Sequence, residues 1–271
     1  MSTGNIKAAW RIGLGCAALI AAAAAAHGVE QGVPLDISAE GSFPLKYTET
    51  ARGNTRQDNT SAAPYLALEA TAHWLPDFST SLFTDGGHDR LGGFRDTDNT
   101  FFSFGGNAVK HWSNDFLTGV SIEHTNFYDG SFGPISNTAN DLNFFARYNW
   151  RPNPDLRIVP SAGATMRLNE NLAVQRYTYH MRVELEQRLY RDLWLVVAPR
   201  VRYLNYVGDE AGRRDVSVSL LAGFKYELAK DIDFRALAGV EDRSSTVQSK
   251  SFDKLIVGAS IDFKIDFARA R

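Results

Sequence analysis

The sequence predicts an all-β protein: a transmembrane antiparallel up-and-down β-barrel of about twelve strands that follows a cleaved signal peptide. Three observations predict it. The N-terminus is first basic and then apolar. A turn-like element recurs at nearly even spacing along the rest of the chain. Within the segments between these turns, apolar and polar residues alternate.

The N-terminus has the composition of a secretory signal peptide. Lys7 and Arg11 precede an apolar run at 12–26, and the chain then turns polar. A basic segment, a short apolar core and a small-residue end are typical of a cleaved signal. A transmembrane anchor is the alternative, but the run is shorter than the roughly 20 residues that a membrane helix needs. We therefore divide the chain into a signal peptide at 1–26 and a barrel domain at 27–271.

Composition limits the chemistry of the mature chain. The single cysteine, Cys16, lies inside the apolar run and is followed by further apolar residues. We interpret it as part of the signal core rather than a lipid attachment site, which leaves the mature chain without disulfides. The full chain carries a formal charge of −2, and cleavage removes Lys7 and Arg11. The resulting acidic balance argues against a nucleic-acid partner.

A recurring Asp followed by a large apolar residue organises the chain. The aspartates are Asp77, Asp115, Asp155, Asp192 and Asp231, which are 38, 40, 37 and 39 residues apart. A period near 40 fits a propeller or solenoid as well as a meander of β-hairpins. Asp and its Pro and Asn neighbours stabilise tight turns, and a strand-like segment stands on each side. The repeat therefore indicates β-hairpins.

The other connections are longer and richer in polar residues and glycine. We expect loops at 50–62, 86–98, 129–139, 169–176, 207–215 and 244–251. Regular alternation of short turns with longer loops is typical of transmembrane barrels. Twelve strands require 34–49 to be the first strand, although Pro44 leaves open that this segment is a plug.

Alternation within the strands predicts which face meets lipid. One face of the segment after Asp192 carries Leu193, Leu195, Val197 and Val201, and the other face carries Arg200 and Arg202. A two-sheet sandwich would also cover such apolar faces. No helix-period segment is present to form a covering layer, and lipid covers all strands at once. We therefore expect the leucines and valines to face lipid and the two arginines to face the lumen.

Aromatic residues cluster near the predicted strand ends. Trp74, Trp112, Trp150 and Trp194 each lie close to a short turn, which predicts a periplasmic aromatic girdle. The tyrosines near the loop ends, Tyr47, Tyr65, Tyr128, Tyr177 and Tyr203, predict the opposite girdle.

Taken with these features, the last strand resembles those of Gram-negative outer-membrane β-barrels, in particular single-chain porin-like proteins. The stretch "LIVGASIDFKIDF" places Gly258, Ile261, Phe263 and Phe267 in the pattern that the barrel-assembly machinery reads, although the tail "ARAR" departs from it. The resemblance implies a location in the outer membrane, contact with its lipid, and assembly through this strand.

Three histidines are candidates for chemistry. In some outer-membrane hydrolases a serine follows the catalytic histidine by two residues, but here Asn126 follows His124. His88 with Asp85 and Asp89 resembles a rim protease or metal site, but a solvated loop is the simpler interpretation. His180 fits a luminal hydrogen-bond network. Without a nucleophile beside a base, we predict no catalytic residue, no metal and no cofactor.

The predicted lumen carries many charges. The predicted pore-lining residues are Arg147, Arg157, Arg167, Arg182, Glu184, Glu186, Arg188, Arg200, Arg202 and Arg235. Opposite this basic wall we expect a mixed, more acidic one: Asp36, Glu40, Asp233, Glu241, Asp262 and Asp266, with Arg243, Lys254 and Lys264. An open lumen of this kind would be a narrow channel for small anionic solutes. A closed lumen would indicate a structural, export or surface-assembly barrel, for example a partner in polysaccharide export.

Overall fold

A computed structural model describes residues 33–53, 55–92, 99–129, 134–208, 210 and 212–270. The side chains of 89–92, 99 and 268–270 are outside this description, as is the predicted signal peptide at 1–26. Among the described residues, no helix is long and apolar enough to cross a membrane.

The described chain is almost entirely β-strand. Its strands are β1 (Leu35–Ser42), β2 (Leu45–Arg52), β3 (Thr55–Ala62), β4 (Tyr65–Leu75), β5 (Phe78–Gly92), β6 (Asn99–His111), β7 (Phe116–Asp129), β8 (Ile135–Tyr148), β9 (Trp150–Asn153), β10 (Leu156–Asn169), β11 (Arg176–Tyr190), β12 (Leu193–Tyr206), β13 (Arg214–Ala229), β14 (Ile232–Ser245) and β15 (Phe252–Ala270). Each pairs antiparallel with its neighbours, and β1 pairs with both β4 and β15, which closes the sheet. The fold is thus the predicted all-β, antiparallel closed barrel.

Two prolines divide the first two barrel strands. Pro44 separates β1 from β2, and Pro64 separates β3 from β4, because proline has no N–H to donate to the ladder. The neighbouring main chain still bridges both breaks: Phe43 N donates to Ile261 O at 3.0 Å, and Ala63 N donates to Pro44 O at 3.3 Å. β1 with β2 and β3 with β4 therefore each act as one strand, which gives twelve barrel strands. The segment 34–49 belongs to the first of them and is not a plug.

The loops predicted at 50–62, 86–98 and 129–139 were partly wrong. Polar residues of β2 and β3 continue the ladder to Arg52 and Thr55, next to Gly53, whose φ of 55° suits glycine. β5 extends to Gly92, and β8 begins at Ile135. Polar composition was misleading here because strands that project beyond lipid carry solvated side chains on both faces.

The short turns lie where the Asp repeat placed them. Asp231 has a φ of 66°, and Arg191, immediately before Asp192, has a φ of 42°. Asp tolerates the left-handed conformation better than most residues because its short side chain bonds locally. The three remaining loops, at 169–176, 207–215 and 244–251, join β10 to β11, β12 to β13 and β14 to β15.

The outer surface of the barrel is apolar. Met181, Val201 and Leu220 are 68%, 47% and 46% exposed, and they alternate with charged or small residues that lie on the other face. Leu193, Leu195 and Val197 share the outer face of β12 with Val201. The apolar surface that a soluble protein would bury here surrounds the barrel, which is the arrangement that lipid solvates.

Two aromatic residues differ from the predicted girdles. Trp74, Trp112 and Trp150 are exposed, as a girdle requires, but Trp194 is only 8% exposed and lies on the lumen face. Trp194 and Arg200 are an even number of residues apart in β12 and therefore have the same parity, which means that their side chains lie on the same face. Proximity to a turn was thus a poor guide to the face on which Trp194 lies. Tyr65 likewise lies on the lumen face of β4, aligned with Ser42 of β1.

Candidate functional site

The lumen face is defined by ion pairs that cross an intervening strand. Lys225 of β13 contacts Glu186 of β11 at 3.3 Å, and β12 lies between them. Arg235 of β14 likewise comes within 4.0 Å of Glu184 of β11. Side chains of second-neighbour strands meet only on the concave side of a closed sheet. The charged residues of this parity therefore point into the barrel.

A buried network fills the periplasmic part of one wall. Glu186 is 2% exposed and pairs with Arg157 at 3.2 Å as well as with Lys225. Lys225 and Arg188 lie over the ring of Trp194, at 5.2 and 4.5 Å from its centroid. Buried charges of both signs thereby satisfy one another, and the aromatic ring separates them from water. This network joins four neighbouring strands, β10 to β13.

Other predicted lining residues are also paired. Arg188 contacts Asp155 at 3.3 Å at the periplasmic turn, and Arg182 pairs with Glu184. Further toward the outer rim, Arg167 pairs with Asp141, and Arg202 pairs with Glu241. Arg235 contacts Asp262 at 3.3 Å, and Arg243 contacts Glu241 at 3.6 Å. Each of these bridges fixes the direction of a luminal guanidinium.

A smaller group of luminal arginines has no carboxylate partner within the described part of the chain. Arg147 and Arg200 form no ion pair there, and Arg176 donates only to the carbonyl of Val174, at 3.3 Å. The Nε atoms of Arg176 and Arg200 are buried without a hydrogen-bond partner. Because these Nε atoms are buried, a solute or water can approach these guanidiniums only through their terminal Nη groups.

The wall opposite these arginines is acidic, and the sequence analysis identified only part of it. Asp85 of β5 and Glu123 of β7 lie on the lumen face, in register with Ser103 and Gly105 of β6. Glu69 of β4 accepts a hydrogen bond from Asn107 at 3.4 Å. The expected acidic residues of β14, β15 and β1 are present on the same face, but the acids of β4, β5 and β7 were not predicted to line the lumen.

Two of the candidate histidines, His88 and His124, lie beside uncharged hydrogen-bonding partners. Asp85 faces the lumen, whereas His88 has the opposite parity and its Nδ1 lies 2.9 Å from the Thr100 hydroxyl. The suggested Asp85–His88 cluster is therefore excluded by alternation, and the side chain of Asp89 lies outside the description. His124 has Asn140 and Asn126 as its partners, at 2.9 and 3.2 Å. In the described residues, no group of His, Cys, Asp and Glu could hold a metal ion.

A cavity with a charged lining lies at the end of the lumen that carries the short turns. Its volume is about 730 Å³, and its lining includes Glu40, Asp233, Arg235, Asp262 and Lys264. These residues belong to β1, β14 and β15, the mixed wall that the sequence predicted. A cavity lined by charges of both signs is suited to water and small polar solutes.

At the outer rim, ion pairs tie two loops together. Arg213 pairs with Glu210 and with the buried Asp215, and it lies 4.2 Å above the ring of Tyr206. Glu210 also contacts Lys250 of the next loop at 3.4 Å. The hydrogen bond from Arg213, with its positive charge and that of Lys250, lowers the pKa of Glu210. The ionised carboxylate is therefore the form that holds this rim.

Acid is expected to loosen this rim. A carboxyl whose pKa is lowered in the folded state contributes stability above its unfolded pKa of about 4.3, and this is lost as pH falls through the lowered value. The protection factors for amide hydrogen exchange of 246–251, which are corrected for the intrinsic rate at each pH, should therefore fall below about pH 4 in the wild type. In Glu210→Gln these protection factors should already be lower at neutral pH and should depend less on pH. Equal profiles for both proteins would contradict the assignment.

Comparison with known proteins identifies the fold. No family model matches the sequence, and no curated protein matches it. An outer membrane channel from Pseudomonas putida F1 is similar in structure, with a TM-score of 0.59 and 8% identity over 85% of this chain and 95% of that one. The β domain of the Bordetella autotransporter BrkA has a TM-score of 0.50 and 11% identity over 85% of this chain and 99% of that one.

Closed topology, an apolar outer surface and a charged interior define the class of protein. The chain is a closed, twelve-strand antiparallel β-barrel with the fold of outer-membrane barrel proteins. At these low identities the similarity concerns the fold, and the function has to be argued from the lumen itself.

Proposed function

We propose that the protein is a narrow, charge-lined channel in the outer membrane of a Gram-negative bacterium, with a preference for small anionic solutes. The observation that carries this proposal is the set of unpaired luminal guanidiniums of Arg147, Arg176 and Arg200. Charges that serve only to seal a barrel need partners, because a desolvated unpaired charge is costly. Guanidiniums without carboxylates favour a hydrated lumen.

The distribution of charge along the lumen supports anion preference. In its outer half, Lys46, Arg167, Arg176, Arg202, Arg243 and Lys254 outnumber Asp141, Asp215 and Glu241. A net positive potential in a confined pore raises the local concentration of anions. The ten predicted lining residues share the parity of the lumen face, and we propose that they line the solute path.

A closed structural or export barrel is the competing function. The buried Glu186 network favours it, because that part of the lumen is filled by side chains and paired charges. A twelve-strand barrel is wider than the eight-strand barrels that side chains fill completely. The network occupies only the wall formed by β10 to β13, so we place the proposed solute path along the remaining strands.

We also propose that β15 is the strand read by the barrel-assembly machinery.

Charge reversal tests the channel. Replacing Arg200→Glu together with Arg202→Glu is expected to move the reversal potential in a salt gradient from the anion-selective toward the cation-selective side. The control is Arg56→Glu, a change of the same charge at a side chain that is 78% exposed on the outer hairpin. A reversal potential that does not change in the luminal double variant would contradict an anion path along these residues.

A further inference from the structure

Five strands of the barrel run outward from the short turns, and the repeat aligns them. The eighth residue after each turn aspartate is Asp85, Glu123, Gly163, Arg200 and Gly239. All five have the parity of the lumen face. Because the turns share the periplasmic rim and the strands share one rise per residue, these five residues lie at one level of the lumen. We call them the mid-lumen level.

The acidic side of the mid-lumen level consists of Asp85 and Glu123. Asp85 of β5 is aligned with Ser103 of β6, and Glu123 of β7 is aligned with Gly105, the adjacent luminal position of β6. The two carboxylates therefore lie on the lumen face with one strand between them. Glu123 accepts a hydrogen bond from the Thr125 hydroxyl at 3.0 Å. Neither carboxylate forms an ion pair with a described basic residue. Two neighbouring carboxylates repel each other, and a cationic group placed beside them relieves that repulsion.

The basic side of the mid-lumen level is Arg200. In the circuit of twelve strands, β12 is six positions from β5, so Arg200 lies across the lumen from Asp85. The positive charges of Arg202 and Arg182 and the negative charge of Glu241 all act on Arg200. Glu241 pairs with Arg202, and Arg200 has no ion-pair partner among the described residues. Its Nε–H is also without an acceptor. The carboxylates of this wall, Glu184, Glu186 and Glu241, pair with other basic residues, so Arg200 is left to take an anionic group from a solute.

Glycine occupies the two remaining positions of this level. Gly163 and Gly239 place no side chain into the lumen, and the ring of His180 lies within 2.7 Å of the position that a Cβ of Gly163 would take. Neither glycine therefore adds a side chain of its own between the charged walls at this level.

We infer that the mid-lumen level binds solutes that carry a carboxylate at one end and an ammonium at the other, such as short peptides. The carboxylate would lie at Arg200, and the ammonium would lie between Asp85 and Glu123. A free amino acid holds its two charges close together, whereas an extended tripeptide spans about 10 Å and can approach both walls. This inference rests on the proposed channel and names a class of solute for it.

Four forms of one peptide separate the charges experimentally. Triglycine carries both terminal charges, and the doubly blocked peptide carries none. N-acetyl-triglycine carries only the negative charge, and triglycine amide carries only the positive charge. Each is titrated against the chloride current of the refolded protein in a planar bilayer, and the concentration that blocks half of the current is measured. Free triglycine is expected to block at about one fifth of the concentration that the doubly blocked form needs.

Neutral variants assign each end of the peptide. Asp85→Asn with Glu123→Gln should weaken the block by free triglycine about fivefold and leave N-acetyl-triglycine unweakened. Arg200→Gln should weaken the block by both of these peptides. The control, Arg56→Gln, removes an exposed guanidinium outside the lumen and should change neither.

The outcomes are distinguishable. Equal block by free and doubly blocked triglycine in a conducting wild-type channel would overturn this inference and leave the channel standing. So would equal weakening of free and N-acetylated triglycine by the acidic double variant. A folded barrel without any chloride current would overturn the channel and this inference together.

Discussion

Leu220→Arg is expected to lower the free energy of unfolding by about 2–4 kcal/mol, because it places a charge on the lipid-facing surface near the middle of β13. Leu220 is 46% exposed on the outer face, and its neighbours across the sheet, Pro199 and Val240, leave a guanidinium no polar partner. The measurement is urea unfolding of the refolded protein in lipid vesicles, followed by tryptophan fluorescence.

Leu228→Arg is the depth control for this prediction. Leu228 lies on the same outer face of β13, two residues before the turn at Lys230, and it is 52% exposed. An arginine there reaches the interfacial region and should cost about 0–1 kcal/mol. Equal losses for both variants, or no loss for Leu220→Arg, would contradict a lipid-facing surface and would favour a soluble barrel.

Glu186→Ala is expected to cost about 3 kcal/mol or more, because it leaves Arg157 and Lys225 facing each other without their shared carboxylate. The side chains of Glu186 and Lys225 are 3% and 9% exposed, so water cannot replace the lost partner fully. The same urea measurement applies, and folding yield should be scored as well.

Glu227→Ala is the matched control. Glu227 comes within 3.9 Å of the same Lys225, but its side chain is 42% exposed. Exposed pairs of this kind contribute about 0–1 kcal/mol. If both alanine variants lost the same stability, the network around Glu186 would not be the structural element that we describe.

Most of the barrel was predictable because its signals are local. Alternation along β11 and β12 needs only neighbouring residues, and the Asp repeat marks each short turn independently of the rest of the chain. The direction of Trp194 was also encoded locally: it is two residues after Asp192 and therefore shares the parity of Arg200. Parity, rather than distance from the turn, determines whether an aromatic residue meets lipid or the lumen.

The luminal contacts depend on the register between neighbouring strands, which cannot be read from the sequence of a single strand. Lys225 meets Glu186 across β12 only because of the register of β13 with β12 and of β12 with β11. The acidic wall formed by Asp85 and Glu123 was missed for a different reason. Asp85 was grouped with His88 at the edge of the loop predicted at 86–98, so the parity that places Asp85 in the lumen was not applied to it.

Single-channel recording of the refolded mature protein in a planar bilayer, with a salt gradient across it, tests the central claim most directly. The account predicts stable conductance steps and a reversal potential on the anion-selective side. A protein that folds, inserts and passes no current would contradict the channel. It would favour the competing function, a closed structural or export barrel whose luminal charges are paired.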